Sequence, residues 1–370
     1  MPQRRLLSRF CRSAACFWAG RSAWLAWSLT VSLIVVVLLQ LWTQYRLNLW
    51  NRDFFDALGR RDGAALWSQS LLFLPLMALS VALAAISVWG RMTTQRKWRE
   101  ILTSHLLSYW LDKGRYCRLD YMRAGTQNPE YRIAEDARIA TDLPLDLGLG
   151  LLSSLLMAVT FVEVLWSVGG DFTVPLLGRP VTIPGYLVVS VILYSIVFTG
   201  AMMLIGRALK DVIQEKNQAE AELRAAANRL RESGEGAPSI DSAPAERVAV
   251  WATLHVALER WRELCWQLVG TTLVSQGNLL LAPVVAWALC APKYLAGTMS
   301  LGELTQAAAA FVIVQGAFNW LIDNFQRLAD WISSVNRVAT LLYALDELDV
   351  ADHAAAPAGG GRVKEALPLR

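Results

Sequence analysis

Six stretches of this 370-residue sequence are strongly apolar and contain no lysine or arginine. A helix of about 20 such residues crosses the ~30 Å hydrocarbon core of a bilayer and satisfies its own backbone hydrogen bonds there. The predicted spans are residues 22–42, 65–89, 143–168, 185–205, 265–290 and 304–323. The sequence therefore predicts an all-α, polytopic membrane protein with six transmembrane helices.

The composition excludes several functional classes. Hydrophobic residues make up 55% of the chain and charged residues 18%, which leaves too little polar surface to cover a soluble protein of this size. The net charge of +4 is too small to indicate a nucleic-acid partner. The five cysteines show no CxxC spacing and the three histidines form no pair with metal-ligand spacing. We therefore expect neither a metal site nor a disulfide framework.

The distribution of lysine and arginine predicts the orientation. Of these 35 residues, 29 lie in four segments, namely 1–21, 91–142, 206–264 and the chain after residue 324. Basic residues are enriched on the cytoplasmic side of membrane proteins. Both termini and the two long loops are therefore predicted to be cytoplasmic.

The two long loops are predicted to extend the membrane helices. Segments 91–110, 131–142, 210–231 and 246–264 are rich in helix formers and continue the hydrophobic pattern of the adjoining spans. Twenty helical residues add about 30 Å. Between the extensions we expect a short connector at 113–127 and a flexible linker at 233–244.

Three further segments complete the predicted organisation. Residues 169–185 combine β-branched residues with a Gly-Arg-Pro turn, which predicts a small hairpin. Residues 1–21 form a basic cytoplasmic N-terminus, and 22–345 form the six-helix domain. Residues 346–370, which include AAAPAGGG, are expected to be a disordered cytoplasmic tail.

Four segments carry a family resemblance. They are LNLWNRDFFDAL (47–58), NPEYRIAED (128–136), EAELRAAANRLRESGE (220–235) and the last hairpin with its helix (291–331). Together they resemble the SbmA/BacA-type peptide transporters and the half-size ABC transporters of the peroxisomal fatty-acyl type. The resemblance implies an ABC exporter-type transmembrane domain. It also implies a homodimer in the bacterial inner membrane that transports peptides or other amphipathic solutes.

Two departures from the family pattern leave the energy source open. Residues 236–248 differ from the stretch that completes the second coupling contact in ATP-driven members, and the sequence contains no GxxxxGK[ST] phosphate loop. We therefore expect a chain without a nucleotide-binding domain that is not an enzyme and binds no cofactor. The first hypothesis is proton-driven uptake of peptides. The alternative is the membrane subunit of an ATP-driven transporter whose ATPase is a separate chain or has been lost.

A non-transporting membrane scaffold is a third possibility, which dimerisation without substrate flux would indicate. Substrate identity and the direction of transport are not readable from the sequence.

Three carboxylates are candidates for a proton or transport pathway. Glu163 lies within the third span, where an ionised carboxylate costs a few kcal/mol unless it faces a cavity or a partner. Its other interpretation is a position near enough to the membrane surface to reach water. Asp323 ends the sixth span inside the family match. Glu303 begins that span and is also explained as a favourable charge after an N-capping Ser300.

Two further groups are candidate contact sites. Trp50, Arg52 and Asp53 follow the first span, where they form either an interfacial belt with a local ion pair or a gate at the outer mouth. Family resemblance implies that NPEYRIAED is an ATPase-docking or coupling loop. The docking candidates are Asn128, Arg132, Glu135 and Asp136.

Overall fold

A computed structural model describes the chain in five parts. These are Phe10 with residues 14–20, then 23–122, 128–176, 179–236 and 244–355. The expected linker at 233–244 and the expected tail therefore fall partly outside the described residues.

Long helices dominate the described chain. The helices of eight or more residues are α1 (Ala23–Gly59), α2 (Gly63–Leu111), α3 (Arg115–Met122), α4 (Pro129–Gly169), α5 (Tyr186–Gly236), α6 (Pro244–Leu295), α7 (Leu301–Asp323) and α8 (Phe325–Ala355). To within one residue at its start, each predicted span lies within one of them, which confirms the all-α, six-span fold class. The predicted hairpin between the third and fourth spans is also confirmed. It pairs strand β1 (Asp171–Leu176) with β2 (Arg179–Pro184) in antiparallel register.

The long helices extend well beyond the apolar stretches, as predicted for the two long loops. They also extend where this was not predicted. Helix α1 continues to Gly59, so the segment expected as a connection after the first span is helical. Only a short turn follows, because Asp62 accepts hydrogen bonds from the backbone N–H groups of Ala64 and Ala65 and so caps α2.

The predicted connector at 113–127 contains a helix that the sequence analysis missed. Lys113 turns the chain with a φ of 50°, and α3 follows at once. Arg115, at the start of α3, is 1% exposed and stacks over the Tyr109 ring, with its guanidinium carbon 4.6 Å from the ring centroid. Arg115 also forms an ion pair with Asp349 of α8. Helix α8 continues to Ala355, so the first ten residues of the tail expected to be disordered are helical.

The chain divides into two compact units. The first comprises Met1–Leu47, Leu71–Leu156 and Trp320–Arg370, and the second comprises Asn48–Ser70 and Met157–Asn319. The core of the first unit lies among α2, the beginning of α4 and α8. It includes Leu102, Leu106, Ala137, Leu341 and Leu342, each no more than 1% exposed.

The chain before α1 contributes to the core of the first unit. Phe17 is fully buried, and its ring stacks on Trp98 with the centroids 6.4 Å apart. Trp18 packs edge-on against the same Trp98 at 4.9 Å and donates a hydrogen bond to Thr30. The segment predicted only as a basic N-terminus therefore also has a structural apolar face.

The second unit is organised by the antiparallel pair α5 and α6. Polar side chains cross between them, because Tyr194 donates to the Asn278 side chain and Tyr186 to the carbonyl oxygen of Leu289. Lys293 of α6 donates to the carbonyl oxygen of Gly169, the last residue of α4, just before the β-hairpin. Gly185, at the end of the hairpin, has a φ of 59°, and a Cβ there would overlap the Trp166 ring.

Candidate functional site

The family motif LNLWNRDFFDAL packs against the N-terminus of α7. Asn48 donates a hydrogen bond to the carbonyl oxygen of Gln306 at 3.2 Å, and the Asp56 carboxylate accepts one from the backbone N–H of Gly302 at 2.8 Å. A Cβ at Gly302 would overlap the carbonyl oxygen of Arg52. Glycine is therefore required for the two backbones to approach this closely, and Asp56 satisfies an N–H group that a helix start leaves free.

Glu303 is engaged in capping the same helix. Its backbone N–H donates to the Ser300 hydroxyl at 3.0 Å, and its carboxylate accepts from the Ser300 N–H at 2.9 Å. This reciprocal pair is a capping box, which stabilises a helix start. The geometry supports the structural interpretation of Glu303, and its assignment to a transport pathway stays a prediction.

The three outer-mouth candidates lie on the last turns of α1. Arg52 forms an ion pair with Asp53 at 3.2 Å, and both side chains are nearly half exposed. Trp50 donates to the carbonyl oxygen of Gln69 on α2 at 2.8 Å and stacks on Phe54 at 5.2 Å. The local ion pair of the first interpretation is present, and both the interfacial aromatic belt and a role as a gate remain predictions.

The NPEYRIAED segment has an unusual backbone. Asn128 adopts a left-handed conformation with a φ of 57°, which asparagine tolerates better than most residues. Pro129 then begins α4 and is buried, since proline fits the first turn of a helix. Residues Arg132–Asp136 form a π-helical turn, a feature frequent at functional sites.

Asp136 anchors this segment to α8. Its side chain is fully buried, and it accepts two hydrogen bonds from Nε of Arg337, at 2.8 and 2.9 Å, and one from Nη2 at 2.6 Å. Arg337 also donates to Ser333 and Ser334. A fork-shaped guanidinium matches a carboxylate well, so this pair fixes the start of α4 on α8.

The exposed surface of the segment differs from the one predicted. The Asp136 side chain is fully buried against Arg337, so it does not face outward as a docking contact would; docking by the other residues of the segment stays a prediction. Arg132 is half buried, and Glu135 forms an ion pair with Arg138 at 2.5 Å. Asn128, one of the predicted contacts, is exposed, as is Ala134. Two side chains that were not selected, Glu130 and Tyr131, are also exposed, and Tyr131 is 58% exposed. The sequence analysis missed both because a motif does not reveal which of its residues face outward.

Glu163 and Asp323 belong to different units and are both exposed. Glu163 shares the exposed face of α4 with Val159 and Trp166, which are 71% and 55% exposed. Within the described part of the chain, the Glu163 side chain forms no ion pair or hydrogen bond. Asp323 is the last residue of α7, and a single residue, Asn324, separates it from the start of α8.

The second unit buries several polar side chains that the sequence analysis did not select. Asn48, Ser195, Gln306, Gln315 and Asn319 are each at least 92% buried. Each has one side-chain polar atom without a hydrogen-bond partner among the described residues. Buried polar atoms usually bind water or a ligand when the protein supplies no partner. Three of these residues, Gln306, Gln315 and Asn319, are amides that interrupt the apolar sequence of α7, and this interruption was the signal that could have identified them.

Comparisons with known proteins agree with this architecture. The family model of ABC transporter transmembrane region 2 matches residues 15–295. The inner membrane ABC transporter ATP-binding protein YddA of Escherichia coli is 27% identical over 345 residues, covering 90% of this chain and 60% of YddA. The Arabidopsis thaliana ABC transporter D family member 2, chloroplastic, is 22% identical, covering 81% of this chain and 40% of that protein. The lysosomal cobalamin transporter ABCD4 of mouse is 24% identical, covering 94% and 55%. The chain thus spans about half the length of these relatives.

The buried ion pair gives a first prediction. Arg337→Ala leaves the Asp136 carboxylate buried without its guanidinium, which should cost about 3 kcal/mol of stability. We expect a clearly lower thermal unfolding temperature in detergent. Arg138→Ala is the matched control, since it removes an exposed pair in the same segment and should change the temperature little. Equal effects of the two substitutions would contradict the anchoring role of Asp136.

The contact at Gly302 gives a second prediction. Gly302→Ala places a methyl group against the backbone of α1, and such overpacking costs about 1 to 3 kcal/mol. Gly63→Ala is the control, because a Cβ at that exposed helix start meets nothing within 4 Å. Thermal unfolding in detergent should show a loss for Gly302→Ala only. An unchanged unfolding temperature would mean that α1 and α7 do not need this close approach.

Proposed function

Because the chain belongs to the family of ABC transporter transmembrane region 2, we propose that it forms the membrane domain of an ATP-driven transporter. The ATPase domain would be supplied by another part of the same polypeptide or by another chain. In this proposal the present 370 residues catalyse no reaction and bind no cofactor, and ATP acts through the ATPase partner.

The observation that carries this proposal is the rigid anchoring of the NPEYRIAED segment. A surface that passes force from an ATPase to membrane helices must be fixed to those helices. The Asp136–Arg337 pair provides this fixation, and Glu130 and Tyr131 remain available for contact. The names of the relatives, which describe ABC transporter ATP-binding proteins, support the same source of energy.

Exposed apolar side chains support a homodimer as the working state. Beyond its membrane-spanning stretch, α6 exposes Val248, Trp251, Leu258 and Trp261, each between 45% and 68% accessible. Large apolar patches exposed to water usually mark protein interfaces. A second copy of the chain would cover them and would also complete a transport pathway between two six-helix units.

Orientation and substrate complete the proposal. The distribution of basic residues supports a cytoplasmic location for both termini and the long extensions, and the E. coli relative supports a bacterial inner membrane location. The substrate class is a peptide or another amphipathic solute, consistent with the cobalamin that the ABCD4 name specifies for that relative. The buried amides of the second unit offer hydrogen bonds to a polar part of such a substrate.

Whether ATP hydrolysis powers transport can be tested at the exposed part of the NPEYRIAED segment. Tyr131→Ala removes a projecting ring and leaves both partners of the Asp136–Arg337 pair in place, so ATP-dependent uptake of a labelled proline-rich peptide should fall at least tenfold. The measurement uses inside-out membrane vesicles from the source cells, with ATP added. The control is Tyr294→Ala, which removes an exposed ring near the C-terminus of α6. This variant should transport normally. Transport that needs no ATP and is unchanged in Tyr131→Ala would refute this proposal.

A second candidate function is proton-driven uptake of the SbmA/BacA type, which one observation favours. Glu163 is a carboxylate on a face of α4 that also exposes Val159 and Trp166, and such a residue is costly in lipid unless water or a partner reaches it. Protonation of Glu163 would then bias the dimer toward one of its two states. Asp323 would join the same process if the two carboxylates act in one relay.

Glu163→Gln tests the proton-driven candidate. Glutamine keeps the shape of the side chain and fixes the neutral form, so uptake driven by a pH gradient should be lost while insertion and dimerisation stay normal. Uptake is measured in proteoliposomes at acidic and neutral external pH without ATP. Glu232→Gln, at an exposed position in the extension of α5, is the control. Retained, equally pH-sensitive uptake in Glu163→Gln would exclude this residue as the proton site.

A further inference from the structure

An apolar groove lies in the first unit between α4 and the junction of α7 with α8. Its volume is about 240 Å³. The α4 wall is formed by Pro144, Leu147, Gly148 and Leu151, and the opposite wall includes Trp320, Leu321, Leu328 and Trp331. Leu321 and Leu151 are 57% and 43% exposed, so the groove opens to the surroundings of the chain.

The groove straddles a boundary of the membrane. On α4 its lining residues lie at the start of the apolar stretch 143–168, and on the other wall they continue past Asp323, where the apolar stretch 304–323 ends. Trp320 and Trp331 lie on either side of that point. Tryptophan is enriched where the hydrocarbon meets the headgroups, so one part of the groove is in contact with acyl chains and the other with headgroups.

A charged cluster borders the polar end of the groove. Asp146, next to Leu147, binds Arg327 at 2.7 Å and Arg91 at 3.4 Å, and it accepts a hydrogen bond from Gln95 at 2.8 Å. Arg327 also donates to Asn324, which itself lines the groove. Two guanidinium groups against one carboxylate leave an excess positive charge, and the Arg327 and Arg91 side chains are 45% and 37% exposed.

We propose that this groove is a binding site for an anionic phospholipid, with one acyl chain in the groove and the phosphate at Arg327 and Arg91. The apolar walls match the chain, and the surplus charge matches a phosphodiester. Basic pockets between transmembrane helices at the membrane surface bind anionic headgroups by the same chemistry. The groove is lined by residues other than those of the docking segment and Glu163, and the proposal does not depend on the energy source of transport.

Two glycines make a matched test of the apolar part. A Cβ at Gly148 meets nothing within 4 Å, so Gly148→Leu fills the groove without a clash with the backbone. Gly200 is also an exposed helical glycine with open space around it, and Gly200→Leu is the control. For the charged part, Arg327→Gln removes one guanidinium, and Arg207→Gln removes an exposed arginine just past the apolar stretch of α5.

Native mass spectrometry of the full chain in detergent measures the binding. Palmitoyl-oleoyl phosphatidylglycerol is titrated against phosphatidylcholine with the same chains, and inorganic phosphate is added as a competitor. We expect one phosphatidylglycerol per chain, bound at least tenfold more tightly than phosphatidylcholine and not displaced by phosphate. Gly148→Leu and Arg327→Gln should each weaken it at least fivefold, and both controls should bind as the wild type does.

Three results would overturn the proposal. Equal binding of the two lipids by the wild type would remove the role of charge, and this comparison needs no variant. Unchanged binding by a correctly folded Gly148→Leu, judged by gel filtration, would place the lipid elsewhere. Disulfide cross-linking between two copies that carry Leu321→Cys would show that a second chain covers the groove instead.

Discussion

The bilayer's demand that every backbone polar group be hydrogen-bonded determines most of this structure. Six apolar segments can meet that demand only as unbroken helices, and even Pro75, Pro144 and Pro283 lie inside helices and do not end them. The same helices then continue far past the apolar stretches, to lengths of about 50 residues in α2, α5 and α6. Continuous helices α1, α2 and α4 have residues in both compact units. The boundaries between the two units along the chain therefore fall within helices and not in loops.

Much of this fold was predictable from sequence because the physical signal is strong and local. The spans, the helical extensions and the β-hairpin all follow from apolar length, helix formers and turn residues. The continuation of α1 to Gly59 was not predictable in this way, since Arg52, Asp53 and Asp56 have the polarity of a loop. Helix α3 was also missed, because it depends on Arg115 being buried against Tyr109 and Asp349, which is far away in the sequence.

The candidate sites were less predictable than the fold for the same reason. The motif NPEYRIAED drew attention to the right segment, but its most buried residue, Asp136, is paired with Arg337 from the last helix. Nothing within the motif distinguishes that residue from the exposed Glu130. Glu303 shows the opposite case, since its capping partner Ser300 is three residues away and the structural interpretation could be made from sequence alone. Local contacts can be read from a sequence, whereas contacts between distant helices need the fold.

Helix α4 shows how the cost of a carboxylate is met at different depths. Asp136 is fully buried and is offset by a bidentate arginine. Asp146, at the membrane boundary, is 19% exposed and is shared by two arginines and a glutamine. Glu163 lies about 9 Å, or six residues, before the end of the same helix, and no side chain of the described residues pairs with it. A carboxylate in this position needs water, a proton or a partner chain to offset its cost. That requirement separates Glu163 from Asp136 and Asp146, whose charges are offset by arginines, and it is the physical reason for testing Glu163 as a proton site.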